Sequence, residues 1–259
     1  MKRLPFKSTK HCMVCGLKLD YLKKAETHVC TYCGKTELGH VRCPGGHFIC
    51  NACHGKDAMK AVEDIAFATE SKDPVEIAEF MMAHPALPML GCEHAYIAAG
   101  ALLAALKNSW SKKITNEDIR EAFERTAKQA HGGYCGLTGV CGIAAAVGAC
   151  FSIFLGAKCG SDNEQKITMD AVVKVSQAIT DLTGPSCCKA YVRASLSVAV
   201  NLFEEKFGIM LPVTNPAVFC KDSGRHPHGC RKEKCPYYNM PAKDLFADTI
   251  HLPVTACRT

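Results

Sequence analysis

Between Lys56 and about Phe207 the apolar positions recur at three- and four-residue intervals, the period of helices that bury one face. The first such run is Lys56–Glu70, with Asp57 as its candidate cap. Asp73-Pro74 opens the next, an acceptor at the N-cap followed by proline at the first helical position, and it ends before His84-Pro85. Residues 85–91 carry two prolines and read as a stiff loop. The stretch from Cys92 to Leu106 is apolar nearly all round after its first turn, so it predicts a buried helix with Glu93 and His94 gathered at its N-terminus. Thr115-Asn-Glu-Asp118 matches a capping box and opens an amphipathic surface helix, Ile114–Ala130, stopped by Gly132-Gly133. Gly136–Ala157 contains no charge and predicts the central helix of the bundle. Its length would suit a membrane span, but its Gly, Ala and Cys content and the lack of an aromatic belt favour a soluble core. Residues 167–183 and 186–207 supply two further helices, and the Pro-, Gly- and His-rich tail from Gly208 predicts surface loops.

Ahead of Gly55 the texture is different. Cys12-x-x-Cys15, Cys30-x-x-Cys33 and Cys43-x3-His47-x-x-Cys50-x-x-Cys53 hold seven of the eighteen cysteines. A C-x-x-C in a tight turn lets two thiolates grip one metal, and two such pairs complete a tetrahedron. Gly16 and Gly34 follow the first two pairs, where a turn bending round a metal needs them. In chain order the ligands form four pairs, enough for two zinc ions. Pairs one and three can share one ion and pairs two and four the other, as in RING-like domains. Sequential pairing as in a zinc ribbon is the rival, with His40 and His54 as spare donors. Spacing alone does not separate zinc from an iron–sulfur centre.

The expectation is therefore a mainly α protein: a metal-binding module over residues 1–55, then an all-helical cysteine-rich domain over 56–259 with an irregular tail. The start of the chain, Met-Lys-Arg-Leu-Pro-Phe-Lys, lacks the apolar run of a secretory leader. Eighteen cysteines then suit a reducing cytoplasm, an anaerobe's above all. The net charge is +6. Residues 1–60 carry eleven Lys/Arg against four Asp/Glu, so the metal-binding module holds the entire excess. A basic zinc module can meet RNA phosphates, although few aromatics (Tyr21, Tyr32, Phe48) are present for base stacking.

The helical part has thiols of its own. Cys135 and Cys141 lie at the entry of the central helix, and Cys187-Cys188-Lys189 follows Gly184-Pro185 at the start of the last long helix. Unpaired N–H groups and the macrodipole at a helix N-terminus favour a thiolate, so these positions suit a nucleophile or a ligand. Cys150 and Cys159 read as packing residues. Glu93-His94 offers either a general acid/base pair or a ligand with its orienting partner; a dipole-satisfying Glu and a hydrogen-bonded loop histidine is the plain alternative. In the tail, Cys220-x9-Cys230-x4-Cys235-Pro236, with His226 and His228 between, can hold three corners of an iron–sulfur cluster with Cys187 or Cys188 as the fourth, or a zinc ion with histidine as the fourth ligand; a basic surface loop (Arg225, Arg231, Lys232, Lys234) with incidental thiols is the plain alternative.

These motifs carry a resemblance. Leu90-Gly-Cys-Glu93-His94, Cys135-Gly-x-x-Gly-x-Cys141-Gly142, Gly184-Pro-Ser-Cys187-Cys188-Lys189 and Cys220…Cys230…Cys235-Pro236, spread over residues 85–240, resemble an uncharacterised cysteine-rich family. Its members occur in methanogens and other strict anaerobes, some fused to or encoded near radical-SAM enzymes and methyltransferases. The resemblance implies that these cysteines, Glu93 and His94 are the family's pattern positions; it carries no established activity. The chain departs from the pattern at Cys92, where a small residue or proline is usual, and at Ser186, where arginine is. Those departures remove support for an anion-binding role of that loop.

The reading that follows is a thiol- and iron–sulfur-dependent enzyme or accessory factor in sulfur or redox chemistry. Cys135 and Cys141 would act as nucleophile or persulfide carrier, with Glu93 and His94 moving protons. Cys187, Cys188, Cys220, Cys230 and Cys235 would hold the cofactor, and a radical-SAM protein or methyltransferase would be the partner. A non-enzymatic zinc-dependent adaptor for RNA or a partner enzyme is the alternative.

Overall fold

The computed structural model describes residues 12, 17–31, 34–50, 56–84, 86–109, 114–182, 184–213, 218 and 220–238. The chain divides into two compact units, Met1–Lys60 and Ala61–Thr259.

In the first unit β1 (Asp20–Val29) and β2 (Thr36–Arg42) pair antiparallel, Asp20 opposite Arg42 and Val29 opposite Thr36, with an irregular register between Tyr21 and Glu26. The hairpin is polar or exposed on both faces, so its alternation gives no sequence signal of the kind a half-buried strand gives. Phe48 supplies its one close-packed point: the His28 ring stacks on it at 4.9 Å, and a β-carbon at Gly39 would come 2.6 Å from it. Among the described residues from 12 to 50 the buried ones are Cys12, Cys30, Cys43 and Cys50. This unit is cored by cysteines instead of aliphatic side chains, the situation in which a bound metal supplies folding free energy.

The second unit is helical: α1 (Lys56–Ala68, whose first turn precedes the boundary), α2 (Pro74–Ala83), α3 (Glu93–Ser109), α4 (Asn116–Ala127), α5 (Tyr134–Thr138), α6 (Gly142–Leu155), α7 (Asn163–Asp181) and α8 (Cys188–Phe207). Asp73 caps α2 by accepting from the Val75 and Glu76 amides, and Thr115 and Asp118 complete the capping box of α4. α3 is the hub, packed on α2, α4, α6 and α8 and buried over most of its length. At its C-terminal end Lys107 donates to the Ala66 and Phe67 carbonyls that end α1. Between α6 and α8 the rings of Phe151, Phe154, Phe203 and Phe207 interlock at 4.5–6.3 Å.

Three sequence expectations change. The uncharged run 136–157 is two helices: Gly139, at φ 77°, ends α5, and extended Cys141 starts α6 afresh. α7 begins at Asn163 because Asp162, Asn163 and Glu164 suit a helix start better than the later apolar onset suggests. Cys150 packs as expected, with its thiol donating to the Ala99 carbonyl, but Cys159 lies exposed in the turn after Gly156. Among the described residues no helix is long and apolar enough to cross a membrane.

Candidate metal centres

In the first unit two glycine turns position the ligands. Gly34 (φ 71°) closes a turn onto the Cys30 carbonyl, and Gly46 (φ 78°) closes one onto Cys43, folding His47 back beside it. His47 Nδ1 then lies 3.7 Å from Cys43 Sγ. Cys12 Sγ joins them: the ligand atoms of Cys12, Cys43 and His47 all lie within 4.8 Å of one another. Cys12 of pair one thus meets pair three in space. The Cys50 amide donates to Cys30 Sγ at 3.4 Å, which brings the first member of pair four to the first member of pair two. The Gly45 amide donates to Cys43 Sγ at 3.3 Å. Such N–H···S bonds favour thiolates, the form a metal requires. Cys15, Cys33, Cys53 and the spare donor His54 lie outside the described residues. The other spare donor, His40, is occupied by the Leu22 carbonyl at 3.3 Å.

In the second unit Cys187, Cys220, Cys230 and Cys235 line one cavity together with Arg193, Arg231 and His226. Cys187 is the N-cap of α8. The tail brings the other three, and buried polar contacts fasten it. Lys189 Nζ donates to Asp222 at 2.5 Å and to the Met82 carbonyl at 3.1 Å. Arg193 forks onto Glu79 at 2.6 and 2.9 Å and lies 5.3 Å from the Tyr237 ring centre. Burial opposes the charge of Arg193, but Glu79 more than offsets it and raises the pKa. Arg231, only 8% exposed, donates from Nη2 to the Pro185 carbonyl at 2.8 Å, whereas its Nε and Nη1 are buried with no partner. His226 Nε2 is buried on the side of the Ser186 backbone, and its Nδ1 accepts from the His228 amide at 3.2 Å. Donors left over beside four thiols fit an anionic, sulfur-rich group that accepts hydrogen bonds.

A second set of thiols gathers where α3, α6 and α8 begin. Cys92 directly precedes α3, Cys141 is the N-cap of α6, Cys188 is the first residue of α8 and Cys135 stands on α5, where it is exposed. Burial, with further repulsion from Glu93, Cys135 and Cys141, pushes the Cys92 thiol up to about 12. Burial also lifts Cys188 to about 12 against the pull of the Gly91 amide, with Cys141, Cys135 and Cys187 adding to the rise. Cys141, Cys187 and Cys235 are raised too, by burial before any other cause. Helix N-termini were expected to depress these thiols. Their amides do pull on Cys141 and Cys187, but desolvation outweighs them. Without a metal these buried thiols hold their protons, which disfavours an activated nucleophile at Cys141.

His94 is fully buried, and its Nδ1 meets the Gly91 carbonyl at 3.2 Å. A carbonyl only accepts, so the proton sits on Nδ1 and the buried, unpartnered Nε2 offers a lone pair. Burial first, then Lys189 and Arg193, lowers its pKa to about 4 against the pull of Glu93 and Gly91. The imidazole is neutral at pH 7, suited to accepting or ligating more than to shuttling protons. Glu93 folds back on Gly91, where a β-carbon would meet its carboxylate.

The structure therefore sorts the expected residues into two groups and adds to them. Cys187, Cys220, Cys230 and Cys235 share a cavity, and Cys188 sides with Cys135 and Cys141. Cys92, Arg193 and Arg231 were not singled out as site residues. The signal for Cys92 was its place in a first helical turn beside Glu93-His94; the arginines gave none. Comparison with curated proteins and with solved structures finds no match. A protein-family model, described as a family of unknown function, DUF5714, matches residues 62–238. That span covers both thiol groups of the helical unit and leaves out the Cys12–Cys43–His47 site. The chain belongs to this family of unknown function, DUF5714.

Proposed function

We propose that the protein is an iron–sulfur protein of sulfur or electron metabolism, with a zinc-clamped N-terminal module and a cluster held by Cys187, Cys220, Cys230 and Cys235. The observation that carries this reading is the cavity itself: four cysteines, two arginines and two Arg231 nitrogens buried without partners. Sulfur spacing does not match that of a lone ion. Four thiolates around zinc stand roughly 3.8 Å apart, as tetrahedral bonds of about 2.3 Å require. Among the described residues, the trio Cys12, Cys43 and His47 brings three ligand atoms within 4.8 Å of one another, and no trio of the helical unit does so. A cluster holds its thiolates farther apart than one ion does, and when bound it supplies one-electron chemistry or sulfide. Around it, Arg231 would donate to the sulfurs, and Arg193, fixed by Glu79, would balance negative charge. The tail pinned by Lys189 and Asp222 would shield the site from water. In the N-terminal module the juxtapositions Cys12/Cys43/His47 and Cys30/Cys50 favour the interleaved pairing, with two zinc ions. The protein then works in a reducing cytoplasm beside a partner enzyme such as a radical-SAM protein or a methyltransferase.

Anaerobic purification, followed by reconstitution with ferrous iron and sulfide, tests the reading. A brown protein with broad visible absorption that weakens on Cys230→Ser or Cys235→Ser is the expected result. A colourless protein whose only metal is zinc, unchanged by either substitution, would remove the cluster.

A further inference from the structure

We propose that Cys92, Cys135, Cys141 and Cys188 are the ligand set of a second iron–sulfur centre, distinct from the cavity at Cys187. The inference rests on the cluster chemistry proposed above but not on where that first cluster sits.

Four separate chain segments each deliver one thiol to this place. Gly142, the first residue of α6, packs so closely that a β-carbon there would come 2.7 Å from Ala130 Cβ and 3.7 Å from Ala95 Cβ. Ala95 lies in the first turn of α3, so Cys141 stands beside the turn that Cys92 opens. The Gly91 amide reaches the Cys188 thiol, which brings the start of α8 to the same spot. α5 carries Cys135 between Ala130 and Cys141, held by left-handed Gly133 and Gly139 at its two ends. Cys92 and Cys188 each feel both Cys135 and Cys141 electrostatically, so the four sulfurs share one neighbourhood. All four are free thiols. They converge without closing to single-ion spacing, since no three of their ligand atoms lie within 4.8 Å of one another.

The surroundings favour a negatively charged group. Three helices of fourteen or more residues begin here and direct their positive ends inward. Cys187, the extended N-cap, lines the cavity of the tail cysteines, whereas Cys188, the first helical residue, is reached by the Gly91 amide. One dipeptide thus gives a ligand to each centre. The open side is the exposed stretch His131–Val140, which carries Cys135.

The test is iron and acid-labile sulfide per chain after anaerobic reconstitution of the full protein, read with the electron paramagnetic resonance of the reduced form. The wild type is expected to hold twice the iron of Cys141→Ser and twice that of Cys230→Ser, with two superposed signals of which each variant loses a different one. The double variant holds no cluster. Cys135→Ser serves where Cys141→Ser fails to fold, since its side chain is exposed and its loss costs the core nothing. Wild-type iron and spectra in both Cys135→Ser and Cys92→Ser would overturn the second centre while leaving the first intact. So would zinc in place of iron at this set. Loss of all iron in the Cys92 and Cys135 variants, with none lost in Cys230→Ser, would keep this centre and displace the first.

Discussion

Replacing Gly142 with alanine probes the packing on which the second thiol group depends. The added methyl would lie 2.7 Å from Ala130 Cβ and 2.9 Å from Ala130 Cα. The latter is backbone and cannot rotate away, so α6 or the 127–130 segment must move. Overpacking of this kind costs about 1–3 kcal/mol. Alanine returns at most about 1 kcal/mol over glycine within a helix, and less at its first position. The net loss is then about 1–2 kcal/mol, or roughly 3–6 °C in Tm for a unit of this size. Urea titration followed by far-ultraviolet circular dichroism measures it. Gly136→Ala in α5 is the control, because a β-carbon there meets nothing within 4 Å; it should be neutral or slightly stabilising. A Gly142→Ala protein as stable as the wild type would mean that α6 does not start against Ala130 and Ala95, and the route that brings Cys141 to Cys92 would be gone.

Other expectations follow from the same packing. Glu79→Ala leaves the buried Arg193 charge without its carboxylate and should cost about 3–5 kcal/mol in urea unfolding, much of it recovered by adding Arg193→Met; a cost below about 1 kcal/mol contradicts the buried pair. His94 titrates near 4 in the fold against 6.5 in the unfolded chain, so its contribution is complete above pH 6.5 and disappears as pH falls towards 4. The loss is about 3 kcal/mol, from about 1.4 kcal/mol for each pKa step; His94→Gln should flatten that part of the stability–pH curve, and an unchanged curve would show that His94 protonates freely. In the first unit, cadmium-113 resonances of substituted protein report which ligands share an ion. Cys12→Ser and Cys43→Ser should abolish the same resonance and Cys30→Ser the other, whereas loss of one common resonance in Cys12→Ser and Cys30→Ser would establish sequential pairing.

Much of the fold was legible because its signals are local. Asp73-Pro74 and the Thr115–Asp118 box state where helices begin, and the all-round apolar run after His94 states which helix is the hub. The β1–β2 hairpin was not legible, since with neither face buried its alternation says nothing. The break at Gly139–Cys141 was hidden by an unbroken absence of charge; only the left-handed glycine reveals it. For the sites, the thiols themselves were plain, but their sorting was not. Which cysteines meet is decided by contacts spanning the chain, such as Arg193 to Glu79 and Arg231 to Pro185. No spacing rule encodes those. The thiol pKa values also ran against expectation, because a sequence shows a helix start but not how much water is removed from it.

The Lys189–Asp222 pair and the Arg193–Glu79 fork join positions 33 and 114 residues apart. On a ribosome, Cys220, Cys230 and Cys235 emerge after α1 to α8 have been made, and their anchorage needs α2 and α8 already docked. The cavity these cysteines line therefore closes only after the helices that anchor it. A cluster bound there, as proposed, would be enclosed by the same two ion pairs that fasten the tail.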